Sequence, residues 1–288
     1  QETYETERLV FIKKFEGIKY LPYLDTNDAN IPTIGYGYNL LDPDVFNDVN
    51  AQVFYQGLDV SNSVRIGDAQ FITDLGNALK VSYSSKEELQ SALNTIMQNR
   101  ATYWANALTA DPNIDHPPET RSTFSFSNDA EMDSVFNVGV ERYEDRVDNW
   151  LSGIPVSAQE RIVLLSLSYN GALESSNSLK FAIQNDNRAE AWYEIRYNTN
   201  AKKMDIDGDG HLELVGSIDP RLTPEQLNDG FNGIASRRYA ESNKFSLYNS
   251  SELDEAEARQ IFQTMTRHWK KIEQYDDRFA GGYLQGPE

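Results

Sequence analysis

Cysteine is absent from the 288 residues. No disulfide can staple the fold, and neither a thiolate metal site nor a cysteine nucleophile is available. Histidine is nearly absent as well. His116, His211 and His268 are scattered and lack ligand or triad spacing, which argues against a zinc enzyme or a Ser-His-Asp hydrolase and leaves surface or packing roles for all three. No run approaches the roughly 18 apolar residues of a membrane helix, and no basic stretch followed by an apolar one opens the chain. Nothing here reads as a membrane span or a visible export signal. Basic residues are in deficit: 26 Lys and Arg face 45 Asp and Glu, leaving −19. That balance repels phosphate and argues against nucleic acid as a partner. The chain opens on Gln1, not Met, which suggests processing or a domain cut from something longer.

The composition, 39% hydrophobic and 11% aromatic, suits a well-cored globule of one large domain or two packed lobes, and two lobes are expected. The most informative stretch is FEGIKYLPYLDTNDANIPTIGYG, residues 15–37. Upstream of it Leu9, Ile12 and Phe15 follow helical spacing, which predicts a short helix over 8–15 with Glu16 in its last turn and Gly17 as a left-handed stop. Residues 18–24 and 31–38 are rich in strand formers, and the Asn and Asp residues between them suit a turn. The hairpin so formed folds Asp25 and Thr33 back toward Glu16. Glycosidic hydrolysis needs one carboxylic acid to protonate the leaving oxygen and a second group to position water or attack carbon, and Glu16 and Asp25 suit those roles. Spacing alone favours the plainer account, an ordinary helix-end carboxylate and a turn aspartate.

The order of motifs reverses that judgement. FEG, YLDT and PTIGYG, in this sequence and at nearly this spacing, resemble the active-site signature of bacteriophage-type lysozymes, glycoside hydrolase family 24. The similarity resumes at VSAQE leading into IVLLSLSYNGA, then SLKFAIQNDNRAEAWYEIRY and GIASRRYAESNKF, and covers most of 8–40 and 156–247. The resemblance implies Glu16 as general acid, Asp25 as second carboxylate and Thr33 as the hydroxyl that helps hold an attacking water, with inversion at the anomeric carbon. Two departures stand out. Tyr38 occupies a position where many relatives have His, and Gly139 one where an acidic residue often follows, so a supporting His–carboxylate pair is not expected. The segment between Asn39 and about Asp129 is also longer than the family usually carries. The acidic surface sits awkwardly with an anionic wall, and a solubilising surface around a less negative cleft is the preferred account.

A second motif, DIDGDGHLE at 205–213, spaces oxygens as a calcium loop does: Asp205, Asp207, Asp209 and Glu213 at positions 1, 3, 5 and 9, with Gly210 at the turn and the His211 carbonyl available. Position 12, where an EF-hand places a bidentate Glu, is Gly216, so a residue such as Asp219 would have to complete the shell. A structural calcium is expected, with no cofactor for catalysis.

The remainder reads as helices. Ser85 and Glu88 form a capping-box pattern ahead of Leu89, Leu93, Ile96, Arg100 and Trp104. Residues 111–128 are a connector, and further helices are expected at 129–151, 157–169, 178–185, 187–197, from Thr223, and from Ser251 to about Tyr275. Arg237 and Arg238 are read as tying helices together, with Glu241 as a partner.

The sequence thus predicts an α+β, mainly helical, lysozyme-like two-lobed chain. Residues 1–128 form the lobe with the active-site hairpin and a helical insertion, and 129–288 the helical lobe with the calcium-like loop. The function implied is a muramidase that cleaves the β-1,4 bond between N-acetylmuramic acid and N-acetylglucosamine, in phage lysis or interbacterial killing. Acting in the periplasm or cell wall, it would be a monomer with a delivery or immunity protein as a further partner. A lytic transglycosylase using Glu16 alone, or a non-catalytic calcium-dependent wall-binding module, are the alternatives.

Overall fold

The computed structural model describes residues 2–25, 30–206, 211, 213–216, 218–226, 231–248 and 253–279. The chain is mainly helical with a small antiparallel sheet, an α+β arrangement. It divides into two compact units, 1–142 and 143–288.

The first unit opens with α1 (Glu2–Lys13), followed by a three-stranded sheet in the order β1 (Lys19–Asp25), β2 (Ile31–Gly35), β3 (Tyr38–Asn39). The sequence predicts one strand over 31–38. The structure breaks it at Tyr36-Gly37 into a tight turn, because Gly35 and Gly37 both take positive φ, +66° and +85°, and the chain doubles back as β3. Three helices follow: α2 (Pro43–Tyr55), α3 (Asn62–Leu79) and α4 (Lys86–Ala110). Each has a local reason to start. Asp42 caps α2, accepting from the amides of Asp44 and Val45, with Pro43 at the first helical position. Ser61 caps α3 and Ser85 caps α4. The capping box expected at α4 is displaced by one residue: the Ser85 hydroxyl accepts from the Glu88 amide, but the Glu88 carboxylate reaches back to the amide and hydroxyl of Ser84.

Those helices are held by a buried charge. Arg100 on α4 donates to both oxygens of Asp68 on α3 at 2.7 and 2.9 Å, Trp104 Nε1 donates to the same carboxylate at 2.8 Å, and the guanidinium lies 4.1 Å from the Phe54 ring centre. Neither charged side chain is exposed to solvent. Residues 111–128 form a connector without helix or strand, as the sequence predicts. It is anchored where Arg121 grips Glu131 bidentately and where the Phe124 and Phe126 amides bond Asn94 Oδ1 and the Tyr20 carbonyl. Helix α5 (Asp129–Leu151) begins in this unit.

The second unit holds α6 (Ala158–Tyr169), α7 (Asn177–Gln184), α8 (Arg188–Tyr193), a hairpin of β4 (Ala201–Met204) and β5 (Glu213–Gly216), then α9 (Asn232–Phe245) and α10 (Glu255–Phe279). The capping box of Ser157 and Glu160 forms, and Gly171 at φ +69° follows the end of α6. The helix expected over 187–197 is α-helical only to Tyr193 and continues as a π-helix, Glu194–Asn198. A capping box joins Thr223 to Gln226, and Asp254 caps α10, which runs on to Phe279; Ser251 lies outside the described residues. Tyr193, Tyr197, Val215, Leu222, Phe231, Ala235, Tyr275 and Phe279 form its aromatic-rich core.

Arg237 and Arg238 do tie helices. Glu241, fully buried, accepts from both guanidinium groups and from the Ser166 hydroxyl on α6, and Arg238 also donates to the Thr199 carbonyl and Asn170 Oδ1.

Candidate active site

Pairing register places the hairpin residues. Tyr23 stands opposite Thr33, Leu24 opposite Pro32 and Asp25 opposite Ile31. Side chains alternate along a strand, so Tyr23, Asp25, Ile31 and Thr33 share one face and Leu24 and Pro32 the other. Asp25 and Thr33 are diagonal neighbours, a relation that separates residues by about 7–8 Å. The Thr33 hydroxyl is almost wholly buried and donates to the Ile31 carbonyl at 2.9 Å. With its proton committed there, the oxygen is left as an acceptor. The turn between Asp25 and Asn30 is predicted over residues that lie outside the described ones.

Glu16 sits differently from expectation. Helix α1 starts earlier than the sequence predicts and ends at Lys13, and the chain then tightens through two three-residue turns, Phe15 N to Ile12 O at 3.0 Å and Glu16 N to Lys13 O at 3.3 Å. Glu16 therefore follows the helix instead of closing it. Gly17 does not take a left-handed conformation; the tightened turns satisfy the helix-end carbonyls in its place. The half-buried Glu16 carboxyl faces the turn between β2 and β3, where a Cβ added to Gly37 would lie 3.5 Å from Glu16 Oε2. A bare glycine backbone borders that carboxyl.

Tyr23 shows that the two carboxyl groups share one neighbourhood. Its phenol is pushed up to about 12, first by burial, then by the charge of Asp25, then by that of Glu16. Glu16, Asp25 and the Thr33 strand position are thus gathered around one phenol. The sequence singled out no hairpin tyrosine for a role. What could have revealed Tyr23 was its place two residues before Asp25, on the same face of a strand.

A second set of contacts braces this site. Lys13, three residues before Glu16, donates to Asp133 on α5 at 2.8 Å, and the Tyr36 hydroxyl donates to the same oxygen at 2.7 Å. Burial alone would lower the Lys13 pKa, but its bonds to Asp133 and Tyr36 outweigh that and raise it. Tyr36, whose ring is fully buried, is pushed up to about 12 mainly by burial. Tyr38, where a His is common in the family resembled, donates to the Met132 carbonyl at 2.8 Å, and Tyr20 bonds Asp129. Four side chains therefore fasten the Glu16 turn and the sheet to one end of α5.

Of the residues expected to bind calcium, Asp205, His211 and Glu213 are described; Asp207 and Asp209 lie outside the described residues. The flanks are strands, not helices. Met204, the residue just before the first loop position, pairs with Glu213, the ninth, at the base of a hairpin. Glu213 also accepts from Arg221 at 2.9 Å, and Arg221 grips Asp219, the residue expected to complete the shell. That grip holds the Asp219 carboxyl below its ordinary range. Among the described residues no group of three His, Asp or Glu stands ready for a metal ion. His268, as expected of a packing residue, stacks on Tyr193 at 3.8 Å and bonds Glu190 at 2.6 Å. Among the described residues no helix is long and apolar enough to cross a membrane.

No family model matches the chain, and no curated protein matches it.

Proposed function

We propose that the chain is a peptidoglycan-cleaving muramidase of the phage-lysozyme type, with Glu16 as general acid, Asp25 as the carboxylate that activates or orients water, and Thr33 as the hydroxyl that helps hold that water. The observation that carries this reading is the Tyr23 phenol, on which Glu16 and Asp25 both act while Thr33 stands directly across the strand pair. The ordered motifs FEG, YLDT and PTIGYG supply the family likeness. An inverting hydrolase needs room for one water between its carboxyl groups and the bond attacked. Thr33 suits the task, since its oxygen can accept a hydrogen bond from that water while Asp25 takes the one proton the water gives up on attack. Glu16 would deliver its proton to the leaving oxygen, and the lysozyme-like fold, the wall or periplasm as workplace, and a delivery or immunity partner follow from the same reading.

Calcium belongs to this proposal as a structural ion. Asp205, Asp207, Asp209, the His211 carbonyl and Glu213 would hold it, and it would relieve the repulsion of crowded carboxylates. The juxtaposed Met204 and Glu213 suit a loop closed on an ion, whereas Arg221 already supplies Glu213 with a positive partner.

Mass spectrometry of fragments released from purified peptidoglycan tests both parts. Reducing-end muropeptides are expected from the wild type, with Glu16→Gln slower by about 100-fold or more, the usual contribution of a general acid. Anhydro ends would make the enzyme a transglycosylase, and binding without fragments would make it a wall-binding module. Thermal melts with calcium and with chelator separate the structural ion from the chemistry.

A further inference from the structure

A groove of about 580 Å³ runs along the outer side of β1, walled by residues 18–24 of the strand and its approach and by Ser84, Ser85, Lys86 and Gln90 at the start of α4. Helix α4 belongs to the long segment for which the lysozyme resemblance offers no counterpart. The groove therefore joins a strand that the resemblance covers to a helix that it does not. It is mostly apolar in character, with Ile18, Tyr20 and Leu21 each more than two-fifths exposed. Its charge is unusual for the protein. Among the described residues that line it, two are lysines, Lys19 and Lys86, and none is acidic, although 45 of the 288 residues are Asp or Glu and 26 are Lys or Arg.

Strand β1 is an edge strand, and an edge normally invites another strand. Here that route is closed. The outward carbonyls of Tyr20 and Pro22 are already bonded by the Phe126 amide and by Gln90 Nε2 at 2.7 Å. Pro22 has no amide to offer. A ligand must therefore engage the side chains. Lys86 makes only a loose contact with Glu87 at 3.8 Å, with both side chains more than half exposed, and can turn to another anion. Tyr23 lines the groove and is also the phenol on which Glu16 and Asp25 act, so the groove reaches the candidate active site through a common wall.

We propose that this groove binds the acidic stem peptide that branches from the glycan, with Lys19 and Lys86 pairing its free carboxylates and Ile18, Tyr20 and Leu21 covering its aliphatic parts. The proposal rests on the reading of the chain as a peptidoglycan hydrolase and gives it a substrate preference: peptide-bearing over bare glycan. It also places positive charge at the cleft of a strongly acidic protein, where an anionic substrate would otherwise be repelled.

Two measurements test it. The Lys19→Gln, Lys86→Gln double variant and the wild type are assayed on intact peptidoglycan and on glycan strands stripped of stem peptides by an amidase. The double variant is expected to lose about four- to twenty-five-fold in kcat/KM on intact peptidoglycan, from about two- to fivefold per exposed ion pair, and nothing on stripped strands. Equal loss on both substrates, or none on either, overturns the proposal. Independently of turnover, NMR titration of the Glu16→Gln protein with free stem tetrapeptide is expected to shift the amides of residues 19–24 and 84–90, and to do so less with added salt. If the wild type releases no fragments but these amides shift, the groove stands and the hydrolase reading falls. If they do not shift, or shift equally in the lysine double variant, the groove assignment is wrong whatever the enzyme does.

Discussion

Asp68→Asn is expected to be the most destabilising near-isosteric change in the first unit. Asp68 and Arg100 are both fully buried, and the carboxylate takes three hydrogen bonds of 2.7 to 2.9 Å from Arg100 and Trp104. The asparagine keeps its shape and one oxygen for Trp104 but no charge. Arg100 Nε keeps that shared oxygen, but the guanidinium is then a buried cation with no counter-charge, and its Nη2 is left with the Phe54 carbonyl at 3.4 Å. Breaking a buried pair from one side costs about 3–5 kcal/mol. The retained Trp104 bond places the cost near the lower end, about 3 kcal/mol. With a urea dependence of about 2 kcal/mol/M, the midpoint should fall by about 1.5 M. Trp104 is the assay as well as a partner, because the other tryptophans, Trp150, Trp192 and Trp269, lie in the second unit and can be changed to Phe. Adding Arg100→Met to Asp68→Asn removes the stranded charge and should recover at least half of the loss. The reasoning fails if Asp68→Asn costs under 1 kcal/mol, or if the double variant is no more stable than the single one.

Gly35→Ala should cost about 2–4 kcal/mol, because a Cβ at φ +66° is strained and would stand 2.5 Å from the Tyr38 ring, which the Met132 carbonyl holds in place; a melting temperature unchanged within 2 °C would contradict this. Alkali should unfold the chain between about pH 10 and 12. Tyr23, Tyr36, Tyr55 and Tyr197 are each pushed up to about 12, chiefly by burial, whereas unfolded tyrosine titrates near 10. In that window the unfolded chain has released protons that the folded chain still holds, so stability falls as pH rises. Tyrosinate absorbance and far-UV circular dichroism should therefore change together, and full tyrosine titration with the dichroism intact would refute it.

What the sequence determined by itself is mostly what a few neighbouring residues can decide. Ser157 with Glu160, Thr223 with Gln226, and Asp254 close hydrogen bonds within three or four positions, so their helices start where the pattern predicts. The placement of Asp25 and Thr33 on one hairpin was legible for the same reason, since strand alternation is local. Local rules also misled. Gly17 resembles a helix stop, but the turn between Lys13 and Glu16 is fixed by Lys13 bonding Asp133, 120 residues away.

Only the tertiary structure could bring Glu16 and Asp25 to one phenol, set Asp68 against Arg100, or bury Glu241 between Arg237 and Arg238 on α9 and Ser166 on α6. A charged residue in a sequence reads by default as solvated, because most are. Burial changes that default, and burial is a property of the packed elements: in a dry interior each unpaired charge is costly enough to dictate its partner, however far along the chain that partner lies.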